Sequence, residues 1–255
     1  IYERLAQSNP QAYEPDLAVS YNNLANLYSN TQRFSESEAM HKQALEIYER
    51  LAQSNPQAYE PYLAVSYNNL ADLYFNTNRF SESEELYKLA LAINKRLAQS
   101  NPQAYEPVLA TSYRSLADLY FNTNRFSESE ELYKSALAIN KRLAQANPQA
   151  YEPALAISYG SLANLYYNTQ RFSESEELYK SALVINKRLA QANPQVYEPA
   201  LATSYGHLAN LYSKIHRFSE SEDLYKSALA INMRLAQANP QAYSTDLASL
   251  YYNIG

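Results

Sequence analysis

Apolar and polar positions follow a helical rhythm along this chain. From Tyr62 to Asn76 it reads Tyr-Leu-Ala-Val-Ser-Tyr-Asn-Asn-Leu-Ala-Asp-Leu-Tyr-Phe-Asn. Leu63, Tyr67, Leu70, Ala71 and Tyr74 recur at three- and four-residue steps, which gathers them on one helix face. The spacing predicts a first helix, A, from Glu60 to Phe75. Pro61 suits its first position, where a missing N–H costs nothing. Asn76-Thr77-Asn78-Arg79 is a short polar turn. Ser81-Glu82-Ser83-Glu84 then opens a second helix, B, with Ser81 and Glu84 spaced as a capping box. Helix B runs on through Leu86, Tyr87, Ala90, Leu91, Ile93 and Leu97. Glu84 and Lys88 form an i,i+4 pair, and Lys95 and Arg96 sit near the negative end of the helix dipole. Asn101-Pro102 ends the helix, because a residue before proline avoids the α region.

This helical hairpin recurs. Arg-Leu-Ala-Gln-(Ser/Ala)-Asn-Pro-Gln begins at Arg4, Arg50, Arg96, Arg142, Arg188 and Arg234, always 46 residues apart. A fixed period of this size marks a repeat array, in which each unit packs only on its neighbours. The expected fold is all-α: a right-handed α-solenoid superhelix of stacked antiparallel hairpins. Residues 1–8 read as the end of a preceding helix B. Full hairpins fall at about 12–55, 58–101, 104–147, 150–193 and 196–239, and 244–255 reads as the start of a sixth helix A. Ala71, Ser83 and Ala90 are small, which lets the two helices approach closely.

Composition narrows the functional classes. The net charge is −5, without the basic stripe that a nucleic-acid partner requires. There is no cysteine, hence no disulfide, thiolate nucleophile or Cys-type zinc site. No apolar run approaches the ~20 residues that span a bilayer. All eleven prolines fall in the same two slots of the repeat unit and punctuate the chain. The chain opens in mid-repeat at Ile1, which reads as a fragment of a longer protein.

The pattern resembles the tetratricopeptide repeat. Tyr67-x-x-Leu70-Ala71-x-x-Tyr74 matches the first half of that motif, Ser83-x-x-x-Tyr87-x-x-Ala90 the second, and Phe80 fits before helix B. Tyr stands for the usual Trp, Ala for Gly and Ser for the first Ala; Gly255 restores the usual glycine. The unit is about 12 residues longer than the usual 34. Asn-Leu-Ala-x-Leu-Tyr and Glu-x-Leu-Tyr-Lys-x-Ala-Leu resemble the longer repeats typified by kinesin light chain. The resemblance implies a concave groove lined by helix A, and a peptide or protein ligand.

Comparing the copies separates two faces. Leu17, Ala18, Tyr21, Leu24, Ala25, Leu27 and Tyr28 are invariant with their equivalents; other helix A positions differ from copy to copy. The differing positions span about 140° of the helix at 100° per residue, and in the resembling family that face is the groove. The expected peptide-binding residues are Asn22, Asn23 and Asn26 in the first copy, and Val65, Asn68, Asn69, Asp72, Phe75 and Asn76 in the second. Thr111, Arg114, Asp118, Phe121 and Asn122 follow in the third, then Asn164 and Tyr167, then His207, Asn210 and Lys214. Asparagine both donates and accepts, so a row of them suits an extended peptide backbone. Aromatics add contact area. Two plainer readings stand beside this one. The stripe varies because it is solvent-exposed, or the row at Asn30, Asn76, Asn122 and Asn168 is a left-handed helix end. Asn26, Asp72, Asp118, Asn164 and Asn210 lie mid-helix, where their propensity is poor; ligand contact is the expected compensation.

Nothing points to catalysis, a cofactor or a metal. His41, His207 and His216 show no ligand spacing; His41 takes the slot held elsewhere by Tyr87 and reads as a packing residue. There is no glycine-rich phosphate loop and no nucleophile elbow. The 26 tyrosines recur mostly at packing positions. With only Arg114 and Lys214 as cations on the stripe, and Asp72 and Asp118 beside them, the expected partner is a neutral to mildly basic peptide or protein. Nucleic acid and membrane are not expected partners. Two further readings remain: a spacer capable of end-to-end self-association, and the sensor arm of a larger signalling protein or enzyme.

Overall fold

A computed structural model describes residues 1–239. They form eleven α-helices and, among the described residues, no strand. The chain divides into two compact units, Ile1–Leu132 and Tyr133 onward. The predicted sixth helix A, with Gly255, lies outside the described residues.

The first unit holds α1 (Tyr2–Ser8), α2 (Pro10–Asn30), α3 (Phe34–Ser54), α4 (Pro56–Asn76), α5 (Phe80–Ser100) and α6 (Pro102–Asn122). Each packs against the next in the chain. α7 (Phe126–Ala146) carries the boundary. The second unit continues with α8 (Pro148–Asn168), α9 (Phe172–Ala192), α10 (Pro194–Lys214) and α11 (Phe218–Ala238), again packed in succession. The even-numbered helices are the A helices, the odd-numbered ones the B helices.

Helix A begins earlier than its pattern predicts. α4 starts at Pro56, and Pro61 lies inside it. Asn55 is the N-cap, its Oδ1 accepting the Ala58 N–H at 3.2 Å. Asn55 is also the residue that closes α3, so one asparagine ends one helix and starts the next. Pro61 lacks the N–H that an interior position uses. Tyr59, packed against the core cluster of Leu63, Leu70 and Tyr74, holds the extra turn in place.

Helix B also starts differently. α5 begins at Phe80, its N-cap is Arg79, and no side chain caps it, so Ser81 and Glu84 do not form a capping box. Ser83 serves the fold instead. It is fully buried, and its hydroxyl donates to the Ala71 carbonyl at 2.9 Å. The same bond joins Ser37 to Ala25, Ser129 to Ala117, Ser175 to Ala163 and Ser221 to Ala209. Small residues at this crossing let the helices close up.

Glu84 is drawn elsewhere. It accepts from Tyr120 Oη at 3.0 Å and from Arg125 Nη1 at 2.6 Å, and it pairs with Lys88 at 2.6 Å. The Arg125 guanidinium lies 3.9 Å over the Tyr120 ring. This ties one helix B to the following hairpin. Glu38 does the same with Tyr74, Arg79 and Lys42, and Glu176 with Tyr212, Arg217 and Lys180. Burial alone would raise the Glu38 carboxyl, but these partners outweigh it and hold it near 2. Glu176 is likewise held at about 2. Lys95 and Arg96 also have specific partners: Lys95 sits over the Tyr113 ring and Arg96 meets Glu60 at 2.5 Å.

The turn between the helices is left-handed at Asn78, with φ 60°, not at Asn76. Gln32, Asn124, Gln170 and His216 adopt the same conformation. Asn76 and its equivalents are the last residues of helix A; Asn122 and Asn168 return their side-chain amides to the carbonyls of Asp118 and Asn164.

Candidate functional site

Burial differs between the positions of helix A. Leu70, Leu116, Leu162 and Leu208 are buried. On the opposite side Val65, Thr111, Ile157 and Thr203 face solvent. Leu27 departs from its group: it is 56% exposed, whereas Leu73 is 3% exposed. Leu73 packs in the cluster that holds Ala44, Leu45 and Tyr48, and Leu27 has no place in a buried cluster of this kind.

In the first unit, part of the stripe is occupied by internal bonds. Asn22 spans two hairpins, donating to Ser66 Oγ at 3.1 Å while its Oδ1 meets His41 Nδ1 at 3.0 Å. His41 is buried, as a packing residue should be, and burial pushes its imidazole down to about 4. Asn23, Asn26 and Asn76 are exposed, and Asn68 and Asn69 half-buried. Asn68 Oδ1 is shut off from solvent without a hydrogen-bond partner among the described residues. Asp72 accepts a short hydrogen bond from the Tyr87 hydroxyl. Burial pushes the Asp72 carboxyl up, and Asp118 adds to this against Tyr87 and Arg114. Arg114 pairs with Asp118 at 3.0 Å.

Phe75 and Phe121 were expected to offer ring area to a ligand. They pack edge-on against Phe80 and Phe126, the first residues of helix B, at 5.9 and 5.8 Å. Tyr167 does the same with Phe172 at 6.1 Å in the second unit. These aromatics clamp the hairpin turn, and only part of each ring stays open.

In the second unit, Asn164, His207, Asn210 and Lys214 are exposed. Asn210 accepts from the Tyr225 hydroxyl, as Asp72 does from Tyr87. An internal tyrosine is therefore the observed compensation for these two mid-helix residues. The His207 ring lies 5.4 Å from that of Tyr179, and desolvation lowers its pKa. A cavity of 490 Å³ opens between α8, α9 and α10, with Ile157, Gly160, Asn164, Tyr179 and His207 on its wall.

The residues that sequence reasoning missed are the arginines of the turn. Arg33, Arg79, Arg125, Arg171 and Arg217 each stack on the tyrosine five residues earlier. Their fixed spacing from that tyrosine and from a glutamate three residues later was the available signal. Among the described residues no group of His, Asp or Glu could hold a metal, and no described helix is long and apolar enough to cross a membrane.

Comparison with known proteins places this architecture. A sequence profile described as Tetratricopeptide repeat matches residues 16–96, 63–142 and 155–234. No curated protein sequence matches the chain. Among solved structures the chain is similar to BtubC (BKLC) from P. vanneervenii, at 25% identity and TM-score 0.74, covering 93% of this chain and 87% of that one. A candidate kinesin light chain of nearly identical repeats from Podosopora anserina aligns at 22% identity and TM-score 0.66, over 88% of this chain and 98% of that one. PilF of Pseudomonas aeruginosa aligns at 15% and 0.58, over 94% and 91%. The last two show a shared fold alone.

Proposed function

The chain belongs to the tetratricopeptide repeat family, whose members are generally protein-interaction scaffolds, and from this we propose that it binds a peptide or protein along the variable face of its A helices. One observation carries the reading: on helix A, Val65, Thr111, Ile157 and Thr203 vary between copies and face solvent, while Leu70, Leu116, Leu162 and Leu208 are fixed and buried. Packing constrains a buried position in every copy. A solvent-facing one is free to follow a ligand.

The first unit favours a neutral to mildly basic segment. Desolvation raises the Asp72 pKa, so a cation brought beside the carboxylate lowers the cost of ionisation. Asn23, Asn26 and Asn69 supply donors and acceptors for a peptide backbone.

The test places charge on the stripe without touching the core. Val65→Lys combined with Thr111→Lys should abolish capture of partner proteins by the purified chain and leave helical circular dichroism and melting unchanged. Leu89→Lys, at an exposed site on helix B, should capture as the unaltered chain does. Undiminished capture by the double variant, or equal loss in Leu89→Lys, overturns the reading.

A further inference from the structure

The cavity in the second unit is walled by three helices. Ile157, Gly160 and Asn164 come from α8, Thr203 and His207 from α10, and Tyr179 from α9. Among the described residues its lining contains no Asp, Glu, Lys or Arg.

Gly160 is the informative residue. Glycine in a helix interior is unfavourable relative to alanine, so its presence calls for a reason. No positive φ requires it, and a Cβ built there meets nothing within 4 Å. Crowding therefore does not require it either. Gly206, the equivalent position on α10, has the same open space. The first three copies carry Asn22, Asn68 and Arg114 at this position, so the helix tolerates a side chain there. Without a side chain, Gly160 leaves that space free for a group to approach the backbone.

We propose that this cavity is a subsite for one large, uncharged, apolar side chain of the bound segment. The proposal rests on the groove reading above and adds what the segment must carry. A lysine or glutamate entering would lose hydration and find no counter-ion. An apolar group exchanges water for Ile157, Ala156, Ala182 and the Tyr179 ring. The Tyr179 and His207 rings, tilted 39° to each other with centroids 5.4 Å apart, add aromatic surface to the wall against which a ring or branched chain packs. Desolvation lowers the His207 pKa, which favours the uncharged imidazole.

N-acetyl-phenylalaninamide and N-acetyl-lysinamide serve as probes, read by nuclear magnetic resonance on the isotope-labelled chain. The chain has only three glycines, so the Gly160 amide is readily assigned. The phenylalanine probe should shift the Gly160 amide and the His207 ring saturably; the lysine probe should not. Gly160→Leu should weaken the phenylalanine probe by at least about tenfold without lowering the melting temperature, and Gly160→Ala by less. Equal shifts with the lysine probe, no saturable shift, or unweakened binding by folded Gly160→Leu or Gly160→Ala overturns the subsite. Partner capture separates the two claims. Capture that survives Gly160→Leu unchanged overturns the subsite alone. A bound phenylalanine probe with no partner captured overturns the groove reading and leaves the subsite standing.

Discussion

Replacing Glu176 by Gln removes the anion at the centre of an inter-hairpin tie while keeping its size. Glu176 accepts from Tyr212 Oη and Arg217 Nη1, both at 2.9 Å, and meets Lys180 at 2.6 Å. Holding a carboxyl at about 2 instead of the ordinary 4.5 corresponds to roughly 3 kcal/mol at most. The exposed Lys180 end is screened by water, which brings the expected loss to about 2 kcal/mol. The folded-state pKa is depressed, so the stabilisation is complete above about pH 5 and disappears as the pH falls toward about 2. Urea unfolding followed by circular dichroism should therefore show a gap between the two chains at neutral pH that closes in acid. The transition should also broaden, because repeat arrays depend on coupling between neighbours. A gap below about 0.5 kcal/mol at neutral pH, the level of an ordinary surface substitution, would refute the reasoning, as would a gap independent of pH.

Four other outcomes follow from the same geometry. Leu70→Ala, at a buried core site, should cost about 2–5 kcal/mol in urea unfolding. Asn55→Ala removes the acceptor for the Ala58 N–H and should cost about 1 kcal/mol by the same measurement. Ser83→Ala should cost about 1 kcal/mol for its lost bond to the Ala71 carbonyl, with no change in helical circular dichroism. His41 has a folded pKa near 4 against an ordinary 6.5. Its contribution is therefore present above about pH 6.5 and lost as the pH falls toward 4. Titration by nuclear magnetic resonance should find the imidazole still neutral at pH 5, and His41→Tyr should flatten the acid side of the stability profile.

Helix pairing and the buried leucines of helix A were legible because each rests on a local pattern repeated in every copy. Leu70, Ala71 and Tyr74 could face only one way. The start of helix A was not legible, since Pro61 and Pro56 both suit a first position and Tyr59, packed against the core, decides between them. Neither was the role of Glu84: a serine three residues before a glutamate reads as a cap within one helix, whereas Arg125 and Tyr120 claim that carboxylate from the following hairpin. Partners 36 and 41 residues away leave no trace in a short window. The mid-helix carboxylate at Asp72 likewise waited on Tyr87. The open space at Gly160 was invisible for a different reason, because an empty volume is a property of three helices together.

Asn55 and Asn101 each form the whole connection between one hairpin and the next. A joint one residue wide leaves no slack to absorb errors of phase. One extra residue beside Asn101 would swing the following helix by about 100° and turn Leu109 out of its seam. Deleting or duplicating a full 46-residue period brings every side chain back to the same bearing. Such a chain can change length between generations only in whole copies, and each change leaves the surviving contacts as they were.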